Sequence, residues 1–80
     1  MLIRVKNAEI AIGSANTVYD STIVRVVNSG TAAVLNFAYA NGEVYANTTV
    51  VSGEAVVVVK APTDTLAGSG LKATPVDYRG

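Results

Sequence analysis

The side chains of this sequence that could carry out chemistry are few and lie far apart. The 80 residues include six acidic and six basic side chains, but no histidine and no cysteine. General acid–base catalysis near neutral pH usually depends on histidine or on paired carboxylates. Asp64 and Asp77 could approach each other as such a pair, but solvated loop and edge positions explain both without a reaction. We therefore expect no catalytic residues and no enzymatic activity.

The patterns of nucleophilic, metal and cofactor sites are equally weak. A catalytic serine needs an activating base and a third group that orients the base, and histidine, the commonest base, is missing. No Asp-x-Asp-x-Asp loop and no His/Cys spacing occurs, although metal sites depend on such donor sets. Gly68-Ser69-Gly70 is interpreted as a flexible turn, because a phosphate-binding loop needs a longer pattern that opens a helix. The sequence predicts no metal ion and no cofactor.

Size and charge restrict the partners of the chain. We interpret residues 1–80 as one domain, near the lower limit at which a single core suffices. Without cysteine, no disulfide can brace it, so we expect a homo-oligomer or many copies on a larger assembly. The net charge of +0 disfavours nucleic acid. No apolar run approaches the roughly 20 residues that cross a bilayer, and the N-terminus lacks the apolar stretch of a secretory signal. We expect a chain made in a cytoplasm, without a membrane partner.

The elements that position these residues are predicted to be strands. Valine and threonine are abundant, and polar and apolar residues alternate over much of the chain. Asn41-Gly42 predicts a hairpin with a type I′ turn, and Pro75, which has no N–H, is expected at an edge or a bulge. About seven short strands predict an all-β fold, either a small antiparallel β-sandwich of immunoglobulin-like type or a closely related β-barrel. The expected segments are Leu2–Ile12 with a bend near Asn7, a long or kinked strand Val18–Val26, Ala33–Tyr39, Thr48–Val51, Ala55–Val59, a loop at Pro62–Gly70 and Leu71–Tyr78.

The run GEAVVVVK, residues 53–60, contains one continuous apolar strand with a charge near each end. If the other three residues of the strand face the core, Val56 and Val58 face outward. Neighbouring exposed valines favour aggregation unless something covers them. Two alternatives follow: the loop 62–70 of the same chain covers this face, or another subunit does. Under the second alternative, Val56 and Val58 lie at a protein–protein interface.

Three tyrosines form a second candidate interface. Tyr39 and Tyr45 flank the predicted hairpin turn, and Tyr78 lies near the C-terminus. A tyrosine ring can pack with its body and form a hydrogen bond with its tip. Tyr39 and Tyr45 therefore either pair with each other across the hairpin or project into a groove of a partner.

Two segments of the chain resemble immunoglobulin-like sandwiches. IVRVVNSGTAAVLNF and TTVVSGEAVVVVKAP resemble the B–C and D–E strand pairs, in which a strand ends at Asn-x-Gly and a Gly-Glu turn opens a valine-rich strand. The whole chain also resembles the short Ala-, Val-, Thr- and Asn-rich virion proteins of tailed bacteriophages, especially cyanophage-like ones. The valine strand, the segment Lys60 to Thr65 and the closing strand carry this resemblance.

The resemblance implies a structural role in the virion and no catalytic residue. A capsid decoration or cement protein that binds the major capsid protein lattice and stabilises the particle is the first expectation. A small neck or tail component is the second. A protein- or carbohydrate-binding β-sandwich module is an alternative of another class.

Overall fold

The computed structural model describes residues 2–79, with the backbone alone for Leu2, Tyr78 and Arg79. This range contains no helix and forms two antiparallel sheets that share one apolar core. The predicted all-β fold, a small sandwich, is confirmed. The eight strands are β1 (Leu2–Val5), β2 (Ile10–Ala11), β3 (Ile23–Asn28), β4 (Ala33–Ala38), β5 (Val44–Val50), β6 (Ala55–Val59), β7 (Thr65–Ala67) and β8 (Leu71–Arg79).

The first sheet has the order β1-β8-β3-β6, with β2 also paired to β8. Strand β3 alternates as its sequence suggests, with Val24 and Val26 buried and their neighbours half-buried. In the next strand, Ala73 lies opposite Val26 and is buried in the same cluster. One face of this sheet therefore covers the core, and the other faces solvent.

Pro75 lies inside β8, between β3 and β1, and is fully buried. Its expected place at an edge is therefore wrong. The alternative, a bulge, agrees with the irregular pairing beside it, where four residues separate Val5 from Ile10 and two separate their partners Val76 and Ala73. Lys6 N donates to Pro75 O at 2.9 Å, but proline has no N–H to return the second bond of an antiparallel pair. The missing donor faces the break between β1, which ends at Val5, and β2, which begins at Ile10. The predicted bend near Asn7 is confirmed, and Pro75 gives it a physical cause.

The second sheet has the order β5-β4-β7. Strand β7 lies inside the segment 62–70, so the prediction of a loop there is wrong in part. Leu66 is fully buried and forms a bridge with Asn16 on the side of β7 away from β4. Three residues are too few to show an alternation, which is why the sequence did not reveal this strand.

The hairpin between β4 and β5 is confirmed, but its turn is not of type I′. Tyr39 N donates to Glu43 O and Gly42 N to Tyr39 O, both at 2.9 Å. Gly42 has φ 92°, whereas Asn41 is not in the positive-φ region, so the loop has three residues and ends in a left-handed glycine. The register then shifts: Phe37 pairs with Ala46 and Ala38 with Val44. Tyr45 is the extra residue of a β-bulge.

The predicted strand Val18–Val26 is wrong in its first half. Val18, Tyr19 and Asp20 have φ of 53°, 59° and 54°, a left-handed turn that non-glycine residues rarely adopt. Side chains on either side stabilise it, since Asn16 Oδ1 accepts from Val18 N and the Ser21 hydroxyl donates to Val18 O, both at 2.7 Å. Val18 is fully buried, so core packing holds the turn in place.

The sheets agree with the immunoglobulin-like pattern in one respect and differ in another. Strands β3 and β4 lie in opposite sheets, as strands B and C do. Strands β5 and β6 also lie in opposite sheets, whereas strands D and E share one. The last strand, β8, lies beside β3.

Candidate protein interface on the free edge of strand β6

The valine strand faces the core with the residues that were predicted to face outward. Val56 and Val58 are half-buried and pack against the core of their own chain, so their predicted outward orientation is wrong. The register explains the orientation: Val56 lies opposite Val26 and Val58 opposite Val24, both fully buried. A run of four valines contains no polar residue that distinguishes its two faces. Only the neighbouring strand determines which face is buried.

The residues that face solvent are those of the opposite parity. Val59 is 73% exposed and Val57 is 41% exposed. In the adjacent strand, Ile23 lies opposite Val59 and Arg25 opposite Val57, and both are half-buried. We call the solvent-facing apolar surface of these two strands the outer valine face. Its members are Ile23, Val27, Ala55, Val57 and Val59.

Three residues of β6 belong to this face, namely Ala55, Val57 and Val59, and they also direct their backbone N–H and C=O groups away from β3. Lys60 N donates to Thr22 O, and Asn28 N donates to Glu54 O, both at 2.9 Å. Hydrogen-bonded pairs alternate with non-hydrogen-bonded pairs in an antiparallel ladder. The even-numbered residues of β6 therefore bond to β3, and the N–H and C=O groups of the odd-numbered residues point to the other side. No strand of the described sheet pairs with that side.

This edge lacks the usual protection of a free edge strand. Natural sheets commonly shield an edge with a charge, a proline or a bulge. The three residues that point to the edge are Ala55, Val57 and Val59, and the register with β3 runs without a shift. The charged residues Glu54 and Lys60 stand at the two ends of the strand. Strand β6 therefore presents a straight, apolar segment that another strand can extend.

The tyrosines of the second sheet pair with each other. The rings of Tyr39 and Tyr45 stack with centroids 4.5 Å apart, and the Tyr45 hydroxyl donates to Asp64 Oδ2 at 2.7 Å. Their predicted pairing across the hairpin is confirmed. Their insertion into a partner groove stays a prediction. The side chain of Tyr78 lies outside the described residues, while its backbone pairs with Ile3.

A small polar cluster lies where β6 ends and β7 begins. Lys60 is buried, and its Nζ donates to Ala61 O at 3.2 Å and Pro62 O at 3.4 Å. Burial lowers the pKa of Lys60, against the opposing attraction of Asp64 and Asp20. The hydrogen bond to Asp64, with burial and the charge of that carboxylate, raises the pKa of Tyr45. These groups stabilise one end of the sandwich.

Asp64 and Asp77 have different partners, and the solvated position expected for Asp64 is wrong, because this residue is buried. Asp64 accepts the hydrogen bond of Tyr45, while Asp77 forms an ion pair with Arg4 at 3.5 Å. Over residues 2–79, no group of three or more acidic side chains is arranged to hold a metal ion. In the same range, no helix is long and apolar enough to span a membrane.

One chemical pattern that sequence reasoning missed is Ser69 with Lys72, which have the Ser-x-x-Lys spacing of some serine nucleophiles. The structure places Ser69 in the turn before β8 and Lys72 within β8, opposite Val27. Ser69 lines an open groove of about 400 Å³ that also contains Gly13, Thr31 and Gly68, and Lys72 is not part of its lining. The spacing therefore does not form a shared site.

No protein-family model, no curated protein and no solved structure matches this chain.

Proposed function

We propose that this protein is a non-enzymatic structural subunit of a virus particle. Its role is that of a capsid decoration protein, which binds the lattice of the major capsid protein in many copies and stabilises the particle. A small module of this kind works through buried area and avidity, because many weak contacts on one lattice add up to firm attachment.

The observation that supports this proposal best is the outer valine face beside the free edge of β6. Val59 exposes 73% of its surface and Val57 41%. The half-buried Ile23 and Val27 extend the apolar area to β3, on either side of Arg25. Contiguous exposed apolar patches mark interaction surfaces, and removing apolar area from water contributes about 25 cal/mol per Å². Such a surface suits a protein that functions while bound to another protein surface.

The charge and size of the chain agree with this role. Its six acidic and six basic residues cancel, so no strong field of one sign steers a charged ligand toward it. The resemblance to small virion proteins of tailed bacteriophages supports a particle as the site of action. It also supports a neck or tail component as the second candidate.

The carbohydrate-binding alternative has less support from the geometry. A sugar-binding platform needs an aromatic ring with an accessible face. Tyr39 and Tyr45 instead stack on each other, so each ring covers part of the other. Tyr19 is exposed in the left-handed turn, but it forms no aromatic pair with another described ring. Phe37 lies 6.4 Å from the Tyr45 ring and packs against the core.

The proposal is tested by locating the chain in cells that carry its gene. Lysates are separated on a density gradient, and the chain is quantified by mass spectrometry in each fraction. We expect it in the fraction of assembled particles, in proportion to the major capsid protein. A small fixed number of copies per particle would support the neck or tail component instead, and a chain found only among free proteins would contradict both.

Purified variants test which surface attaches the chain to particles that lack it. Val59→Lys places a charge on the outer valine face and is expected to abolish sedimentation of the chain with particles. Val44→Lys is the matched control, since Val44 is 53% exposed and lies on β5, and it should sediment as the unmodified chain does. Equal attachment of the two variants would contradict the assignment of this face.

A further inference from the structure

We propose that the free edge of β6 pairs with β6 of a second copy of this chain, antiparallel and centred on Val57. This pairing would join two sandwiches through a continuous sheet. It deepens the proposed function and rests on it in one respect, because a subunit that works in many copies gains avidity when two copies are joined.

The hydrogen-bonding groups of the edge fit a two-fold axis at Val57. The outward groups belong to Ala55, Val57 and Val59, which are spaced evenly about the middle residue. In an antiparallel pair centred there, Val57 faces its own copy and Ala55 faces Val59 of the other chain. When the backbone groups of two directly opposite residues point toward each other, the two residues exchange two hydrogen bonds. Every N–H and C=O that β6 directs to its free edge therefore has a partner in the second copy.

The bounds of the strand favour the same register. Glu54 and Lys60 are equally far from Val57 in sequence, but Lys60 is buried and its Nζ donates to Ala61 O and Pro62 O of its own chain. The charges therefore do not decide the register, which depends on the outward backbone groups. A shift by two residues in either direction would leave one outward residue of each chain, Ala55 or Val59, without a partner within the strand.

The side chains are also consistent with this arrangement. Directly opposite residues of an antiparallel pair lie on the same face of a sheet, so Val57 and Val59 of both copies would share one solvent-facing surface. The core-facing residues Val56 and Val58 of the two copies would likewise meet on the inner side. The outer valine face would double in width, which gives a capsid lattice a larger apolar contact than one copy offers.

Sedimentation velocity of the purified chain and its variants tests this pairing. We expect the unmodified chain to form a dimer that dissociates on dilution. Val57→Pro removes one outward N–H while leaving the bonds between β6 and β3 intact, because proline is tolerated where the N–H of an edge strand faces solvent. This variant is expected to be a monomer with an unchanged circular dichroism spectrum.

A charge-pairing experiment tests the register and does not depend on the folding of the proline variant. Val57→Lys places two like charges across the two-fold axis, next to Arg25 of β3, and is expected to be a monomer. Val57→Glu is expected to dimerise more weakly than the unmodified chain. An equimolar mixture of the two variants should form a mixed dimer that is more stable than either variant alone. The corresponding variants of Val34, which is 47% exposed on the other sheet, should leave the dimer unchanged.

Each result distinguishes the pairing from the proposed function. A monomeric chain at all concentrations, or a mixture that is no more associated than its components, would overturn the pairing. If such a monomer still sediments with particles, the proposed function stands without the pairing. A dimer that follows the charge-pairing rule but never attaches to particles would contradict the function and leave the pairing supported.

Discussion

The two sheets end in exposed strands that differ in how they meet solvent. Strand β6 ends the first sheet with a straight register and with Val57 and Val59 exposed. Strand β5 ends the second sheet with a bulge at Tyr45 and with polar residues such as Asn47 and Thr49. Both are free edges of the described sheets. One edge is straight and apolar, and the other has a bulge and a polar segment at residues 47–49.

This difference indicates that β5 is protected against pairing with another strand and that β6 is not. A bulge and polar side chains are common means by which proteins prevent unwanted strand pairing. Strand β1, at the far side of the first sheet, also exposes Ile3 and Val5, but it is short and ends at Val5, next to Pro75. A sequence that protects β5 with a bulge and polar residues is capable of protecting β6. An edge left apolar is therefore expected to have a partner.

The largest expected effect comes from a residue that connects the two regions. Asn28 ends β3, next to β6, and its side chain is fully buried. Its Nδ2 donates to Val50 O, at the end of β5, at 2.7 Å and to Thr31 O at 2.8 Å. Asn28→Ala leaves these carbonyl groups without their donor and is expected to lower the free energy of unfolding by roughly 3 kcal/mol. Urea denaturation in the Val57→Lys background, which is expected to be monomeric, measures this loss without a contribution from association.

A matched asparagine gives the control for this prediction. Asn47 lies on β5 and is exposed, so Asn47→Ala is expected to change the free energy of unfolding by less than about 0.5 kcal/mol. If the two substitutions cost the same, the side chain of Asn28 does not hold the two sheets together.

The strands with clear alternation were predictable from the sequence. Features that depend on contacts with residues far away in the sequence were not. Strand β6 was predicted with its observed bounds, since Ala55–Val59 is a continuous β-branched run bounded by turn residues. Its buried face was predicted wrongly, because that face is set by Val24 and Val26 of β3. The candidate interface therefore moves from the even-numbered valines to the odd-numbered ones.

Local hydrogen bonds explain the other misses. The alternation of Val18 with Thr22 and Val24 suggested a strand, but side-chain bonds from Asn16 and Ser21 stabilise a left-handed turn instead. Asn41-Gly42 correctly predicted the hairpin, while the turn type depended on whether one or two residues take positive φ. Such choices differ by about 1 kcal/mol, and a short sequence pattern does not decide them.

A smaller effect is expected for substitutions in the two turns that precede β5 and β6. Gly42 precedes β5 with φ 92° and Gly53 precedes β6 with φ 80°, and a Cβ added at either position meets no atom within 4 Å. The cost of Gly42→Ala and of Gly53→Ala is therefore one of backbone conformation alone, roughly 1 kcal/mol each. Equal losses in thermal unfolding are expected. A much larger loss for Gly53→Ala would mean that β6 is held more tightly by its turn than β5 is.

The smallest effect concerns the end of the sandwich where Asp64 interacts with Tyr45 of β5 and with Lys60, which follows β6. Hydrogen bonding to Asp64 raises the pKa of Tyr45 above its usual value of 10.0 in the folded chain. The stability from this bond is fully present below pH 10 and is lost as the pH rises through the folded pKa, because the unfolded chain releases the proton first. Tyr45→Phe should remove this loss, as seen in unfolding measured across the alkaline range.

Lys60 is expected to give the opposite slope in the neighbouring pH range. Burial lowers the pKa of Lys60 below its usual value of 10.5 in the folded chain, so the unfolded chain binds more protons between the two values. Stability therefore increases with pH in that range, and Lys60→Met should abolish the increase while leaving the decrease due to Tyr45. If Lys60→Met also removed the decrease, the two groups would titrate as one coupled unit. Asp64 would then join the end of β6 to the bulge of β5 electrostatically, and the two edges could not be treated as independent.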